Sequence, residues 1–228
     1  MLRYDTPQEL SPVWTEIDSG LLYLRAYIRK PGIQIHALKI ELENPAIKIH
    51  VGPQALSDGH VLSTRVSSFA RQQGSIIAVN ANPFSPSNAH EGEDRQVTGI
   101  AVSNGNLIAG PDPRYAALVF YKDGRTEILE QRELKNEDLG TIWNAVGGFF
   151  IVLQNGHAEA ADKARHPRTG AGLSDDGKTL YLLVIDGRRI GSIGATELEA
   201  AQIFAALGAD NALLLDGGGS SALAIRTY

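Results

Sequence analysis

Four Asn-Gly or Asp-Gly dipeptides constrain the fold of this chain more than any other feature: Asn104-Gly105, Asp123-Gly124, Asn155-Gly156 and Asp176-Gly177. Each lies between apolar, strand-like runs, and each supplies the positive φ that a tight hairpin turn requires. They predict antiparallel pairing and disfavour a doubly wound parallel sheet. LYLRAYIRK and IQIHALKIELEN, on either side of Pro31-Gly32, alternate with period two, and AIKIHVG continues the pattern. STRVSSFARQQG reads as a short helix with a Ser or Thr cap and Gly74 as its stop, and SIIAVN follows as a buried strand. GATELEAAQIFAALGAD is the one strong helix. Thr196 and Glu199 form its capping box, Leu198, Ile203, Phe204 and Leu207 its buried face, and Gly208 its end. The expected class is α+β: an antiparallel-rich mixed sheet with a few helices packed on it, in a single domain over residues 14–228. Residues 1–13, with Pro7 and Pro12, read as a polar N-terminal arm.

Composition then removes whole classes of function. A formal net charge of −5, with no long basic run, excludes a nucleic-acid partner recognised through its phosphate backbone. The chain has no cysteine, so disulfides, zinc–thiolate sites and thiol nucleophiles are ruled out. Its six histidines show no HExxH spacing, and neither a metal nor a cofactor is expected. No stretch reaches the ~18 apolar residues of a transmembrane segment. MLRYDTPQELSP lacks the cationic start and apolar run of a signal peptide.

Chemistry concentrates at strand ends. NALLLD reads as a buried strand ending on Asp216, followed by Gly217, Gly218, Gly219, Ser220 and Ser221. Glycines let a ligand approach the backbone, successive amides can cradle an anion, and the serines add donors. No Lys follows, so this is not a nucleotide phosphate loop. LYLLVIDGRRIG sets Asp186 at a second buried strand end, before Gly187 and Arg188. This is either another hairpin turn or the second half of a carboxylate pair. Arg165-His166-Pro167-Arg168-Thr169-Gly170 offers guanidinium forks for a phosphate, or else forms a solvated turn. Asn80 and Phe84 are candidates for sugar hydroxyls and a sugar ring face, though both also fit a plain turn.

VNANPF, VGGFFIVLQNG, RHPRTGAGLSDDGKTLYLLVIDGR and GATELEAAQIFAALGADNALLLDGGGSS follow one another from about Val13 to Ser221. In this order they resemble the phosphodiester glycosidase family, which includes the lysosomal uncovering enzyme and bacterial exopolysaccharide-associated proteins. Matching motif positions include Asn80, Arg168, Thr169, Asp186, Arg188, Thr196, Glu199, Asp216, Gly217, Gly218, Gly219 and Ser220. Where the family has Asn-Gly-Gly-Phe-Phe, this chain has Asn80-Ala81-Asn82-Pro83-Phe84. Relatives run on past the glycine–serine turn, whereas this chain stops at Thr227-Tyr228.

The resemblance implies an exported hydrolase cleaving the sugar C1–O bond of a glycosyl-1-phosphodiester. A sugar-phosphate diester or glycan would be its partner. Asp216, Asp186 and Arg168 are then the expected catalytic residues. Asn80, Phe84, His166, Thr169, Arg188, Gly217, Gly218, Gly219, Ser220 and Ser221 would bind substrate. Arg168, with Arg188 and the glycine amides, would hold the phosphate, and Asp216 or Asp186 would act as nucleophile or base. Glu199 is expected to cap its helix rather than react. The competing expectation is a non-catalytic cell-envelope module that binds anionic glycans or phospholipid head groups.

Overall fold

The structure, a computed structural model, describes residues 1–52, 55–87, 90–159 and 162–226. Thr227 and Tyr228 lie outside the described residues. The chain opens with β1 (Leu2–Tyr4), β2 (Thr15–Asp18), β3 (Leu21–Ile28) and β4 (Ile33–Glu41). Next come β5 (Ala55–Ser57), β6 (His60–Leu62), α1 (Val66–Gln73), β7 (Ile77–Val79) and β8 (Phe84–Ser85). They are followed by β9 (Asp94–Val97), β10 (Ala101–Ser103), β11 (Asn106–Ala109), β12 (Ala116–Tyr121), β13 (Thr126–Glu130) and β14 (Ile142–Gly147). The last part holds β15 (Ile151–Gln154), β16 (His157–Ala158), β17 (Arg168–Leu173), β18 (Thr179–Ile185), α2 (Glu197–Leu207), β19 (Asn211–Leu214) and β20 (Leu223–Ile225).

The four pairs named above turn hairpins: β10–β11, β12–β13, β15–β16 and β17–β18. Asn104 and Asn155 both adopt φ of 50°, the left-handed conformation that this turn chemistry provides for. Two compact units result, one from Met1–Lys48 with Ile151–Ser221, the other from Ile49–Phe150 with Ala222–Tyr228. Mostly antiparallel strands and two α-helices make the protein α+β.

The first unit is built on a nine-stranded sheet in the order β1-β3-β4-β18-β17-β19-β15-β16, with β2 paired to β3. All pairings are antiparallel except β1 with β3. Leu2–Tyr4, expected in a polar arm, thus form a sheet strand, and Leu10 reaches the core. One sheet face is apolar through Leu24, Ala26, Ile28, Ile33, Ile35, Leu183 and Ile185, and α2 packs there through Ala200, Ala201, Ile203, Phe204 and Leu207. Burying a side chain such as Phe204 contributes about 1.5–3 kcal/mol. A Cβ at Gly172 would stand 2.9 Å from Phe204, so glycine is what lets this ring lie against the strand. Leu198, expected on the buried face, is 47% exposed, because the inward stripe runs through positions 200, 201, 203, 204 and 207.

The second unit carries a five-stranded sheet β11-β10-β14-β12-β13, a four-stranded sheet β5-β6-β9-β8 and the pair β20-β7. AIKIHVG, expected as a strand, is irregular. The carbonyls of Ile49 and Val51 accept instead from Asn144 Nδ2 (3.0 Å) and Ser103 Oγ (2.7 Å), so side chains replace a ladder there. Helix α1 ends on Gly74 as its sequence predicts, but Arg65 is its N-cap and no side chain caps it. The expected caps, Ser63 and Thr64, donate to the carbonyls of His90 and Leu62.

Candidate active site

Asp216 is delivered by β19. Leu214 pairs with Gly170, and the Leu215 amide donates to the Thr169 carbonyl at 2.9 Å, so the register sets Asp216 beside Arg168. The chain then leaves the sheet. Gly217 passes close to Arg168 and Pro167, where a Cβ would lie 3.1 Å from the Pro167 carbonyl oxygen. Gly218 has a φ of +62°, and its amide donates to that carbonyl at 2.9 Å. Here glycine serves both close approach and left-handed geometry.

The amides of this turn are largely committed. Gly217 donates to Asp216 Oδ1 (2.9 Å), Gly218 to Pro167, and Ser220 and Ser221 back to Gly217 and Gly218. The expected cradle of three glycine amides is therefore mostly spent inside the protein. Ser221 Oγ is buried and has no hydrogen-bond partner among the described residues. Burial raises the pKa of Asp216 above the ordinary aspartate range, against hydrogen bonds from the Ser220 hydroxyl and the Gly217 amide.

The cations of the RHPRTG segment split their tasks. Arg165 forks onto Glu199 at 2.6 and 2.7 Å, while Glu199 also completes the capping box of α2 with Thr196. Glu199 is the helix cap its spacing predicts. Arg168 donates Nε to the Ala195 carbonyl (3.1 Å) and a terminal nitrogen to that of Ala164 (3.1 Å). Burial lowers its pKa, opposed by Glu197 and Asp162. The backbone of Arg168 thus neighbours Asp216, while its guanidinium braces the entrance to α2. Thr169 is fully buried within the sheet.

Arg188, the other arginine expected near the phosphate, approaches the glycine turn. Its φ of 57° places it in the left-handed region. One terminal nitrogen lies 3.3 Å from His166 Nδ1, and a Cβ on Gly218 would lie 3.3 Å from the same group. Because Arg can only donate, this contact makes His166 Nδ1 the acceptor. Arg188, His166 and the Asp216–Ser220 turn therefore converge.

Asp186 has other company. Its amide donates to the Gln34 carbonyl (3.0 Å), extending the β4–β18 ladder by one residue. Its carboxylate accepts from Gln34 Nε2 (2.9 Å) and from Arg189, with His36 Nε2 at 3.9 Å. These side chains occupy the sheet face opposite α2, and Asp186-Gly187 opens a loop rather than a two-strand hairpin. Gln34 and His36 were not singled out by sequence; the alternation in IQIH, with polar residues on every second position, was the available signal.

Asn80 and Phe84 belong to the second unit. Asn80 Oδ1 accepts from the Ala222 amide (3.0 Å), and Phe84 pairs with Val97 in the β8–β9 ladder. Among the described residues no group of three His, Cys, Asp or Glu side chains is arranged to hold a metal ion, and no helix is long and apolar enough to cross a membrane.

The sequence profile of the family described as phosphodiester glycosidase matches residues 73–227. This chain belongs to the phosphodiester glycosidase family. The uncharacterized SPbeta prophage-derived protein YomE of Bacillus subtilis is 31% identical over 174 residues, which cover 71% of this chain and 26% of that protein. A solved structure of a hypothetical protein from Synechocystis matches with a TM-score of 0.66 at 15% identity, over 95% of this chain and 60% of that one. The zebrafish N-acetylglucosamine-1-phosphodiester alpha-N-acetylglucosaminidase catalytic domain, auto-inhibited by its pro-peptide, matches with a TM-score of 0.61 at 18% identity. That match covers 99% of this chain and 77% of the zebrafish chain. This chain thus spans about a quarter of the curated relative's length and shares the fold of the two solved structures.

Proposed function

We propose that this protein hydrolyses a glycosyl-1-phosphodiester between C1 of the sugar and its oxygen, using the site around the Asp216–Ser220 turn. The observation that carries the reading is the convergence of Arg188 and His166 on a glycine turn led by a buried carboxyl group of raised proton affinity. Arg188 binds the phosphate, with the Gly219 amide as an added donor. A phosphate monoester leaves as a stable anion, so neutralising its charge replaces a strong general acid. Asp216, held by the Gly217 amide and the Ser220 hydroxyl, takes the proton from a water that attacks C1. Arg168 positions Asp216 from the neighbouring strand, and Asp186 anchors the loop that presents Arg188.

The test is turnover of a panel of glycosyl-1-phosphodiesters by the protein and by Asp216→Asn, in heavy-oxygen water. The reading expects the label in the sugar and loss of turnover in the variant with binding retained. Label in the phosphate would mean P–O cleavage. Binding without turnover of any member would leave a glycan-binding module. Export is part of the reading through the family resemblance, and fractionation of cells making the full-length protein would test it.

A further inference from the structure

The sheet face opposite α2 carries a row of polar side chains that the hydrolytic site does not use. Arg3 on β1 pairs with Tyr27 on β3, Tyr27 pairs with Gln34 on β4, and the Asp186 amide joins the row through the Gln34 carbonyl. Cross-strand partners project from the same face, so the four side chains line up across four strands. The neighbours along these strands, Ala26, Ile28, Ile33, Ile35 and Ile185, project the other way into the core under α2. Arg189 folds back from the following loop onto Asp186. The left-handed Arg188 separates the two adjacent guanidinium groups: Arg188 goes to the glycine turn and Arg189 to this row.

Arg3, Tyr27, Gln34, Arg189 and Ser192 line a hollow of about 570 Å³. That volume lies within the range of small-molecule sites. The wall behind it is held in place. Gln34 Nε2 donates to Asp186 (2.9 Å) and contacts His36 Nε2 (3.0 Å), its Oε1 accepts from Arg25 (3.4 Å), and His36 Nδ1 meets the Tyr23 hydroxyl (2.6 Å). With its Nε2 accepting from Gln34, His36 is neutral and carries its proton on Nδ1. Burial also lowers the pKa of His36, with Asp186 acting against it and Arg25 and Arg189 adding to it. Arg25 and Arg189 thus stand close to His36 and Asp186, while Arg3 adds a third guanidinium at the β1 end of the row. Ser192 is committed to the Gln34 amide and the Asp186 carbonyl. The donors left for a ligand are on Arg3 and Arg189, with Tyr27 as an apolar wall.

We infer that this hollow is a second binding site, distinct from the Asp216 turn, for a saccharide bearing an oxyanion, either phosphate or carboxylate. Two guanidinium groups in the lining of one hollow suit a group with several oxygens. The inference stands without the hydrolase reading, since it concerns binding alone.

The experiment is calorimetric titration of the Arg188→Ala protein, in which the phosphate site of the glycine turn is weakened, with glucose 1-phosphate, glucuronate, glucose and inorganic phosphate. Binding of either charged sugar is expected, and which of them binds identifies the phosphate or carboxylate source. Adding Arg3→Ala should weaken that binding by about tenfold or more, the effect of losing one charge-assisted hydrogen bond. Arg3 makes no ion pair among the described residues, so its loss is expected to leave the fold intact, which a melting curve would check. Arg3→Lys should retain part of the affinity. Three results would overturn the inference: no binding of either charged sugar, binding indifferent to Arg3→Ala, or glucose or inorganic phosphate binding as tightly as the charged sugars.

Discussion

Asp216 and Asp186 both follow apolar strands in the same sheet, and both precede glycine, yet their surroundings differ in kind. Asp186 is met by a guanidinium, an amide and an imidazole. Asp216 is met by a hydroxyl and a backbone amide, and burial dominates its proton affinity. On the proposed reading, strand-end placement alone therefore does not make a catalytic carboxylate. What differs is the dominant influence: a guanidinium at Asp186, burial at Asp216. A carboxylate paired with a guanidinium anchors; one that accepts from a hydroxyl and an amide in a partly buried position keeps its capacity to trade a proton.

The sharpest way to break this contrast is Asp216→Asn, for which glycosyl-1-phosphodiester turnover should fall by about a thousandfold or more, as for loss of a general base. Melting by circular dichroism should show no loss of stability at neutral pH. Next is Arg188→Ala, expected to raise KM by about 10- to 100-fold, the scale of one charge-assisted contact, while leaving the melting temperature near its original value. Arg168→Ala should behave in the opposite manner, costing about 1–3 kcal/mol in denaturant unfolding because two carbonyls lose their donor. If Arg168→Ala were as stable as the parent and defective only in KM, the two arginines would have been assigned the wrong way round.

Asp186→Asn is expected to lower turnover by less than about tenfold and stability by about 1 kcal/mol, since Arg189 and Gln34 lose a charged acceptor. Equal losses of turnover in the Asp186 and Asp216 variants would erase the contrast. The smallest effect concerns pH. The folded chain binds the Asp216 proton more tightly than the unfolded chain, so wild-type stability declines as pH rises from the ordinary aspartate value through the raised folded value. Below that window the group adds nothing to the slope. Asp216→Asn should lack this decline, as comparison of urea midpoints across acidic pH would show.

Local chemistry was readable from the residues. The four turn dipeptides, the Thr196–Glu199 capping box and the glycine stops at Gly74 and Gly208 depend on neighbours within a few positions, and each forms as its chemistry dictates. Long-range choices were not readable. Arg168 and Arg188 look alike in sequence, and only the carbonyls of Ala195 and Ala164 decide which guanidinium is consumed. The partner of Asp186, Gln34, lies 152 positions away. AIKIHVG has strand periodicity, yet Asn144 and Ser103 compete for its carbonyls. Periodicity reports which side of a segment is apolar, not which donor reaches its backbone first.

The nine-stranded sheet is assembled from both ends of its unit's sequence, with β4 zipped to β18 from Ile35–Ile185 to Glu41–Thr179. A ribosome therefore completes Ile49–Phe150 before the strand that seals β4 has been made. Until then the β3–β4 hairpin holds an open edge and an uncovered apolar side, the arrangement most prone to mispairing during synthesis. Maturation of this sheet is bound to wait for the late strands, and slow translation or chaperone shelter should govern the yield of soluble product more than the strength of any single contact.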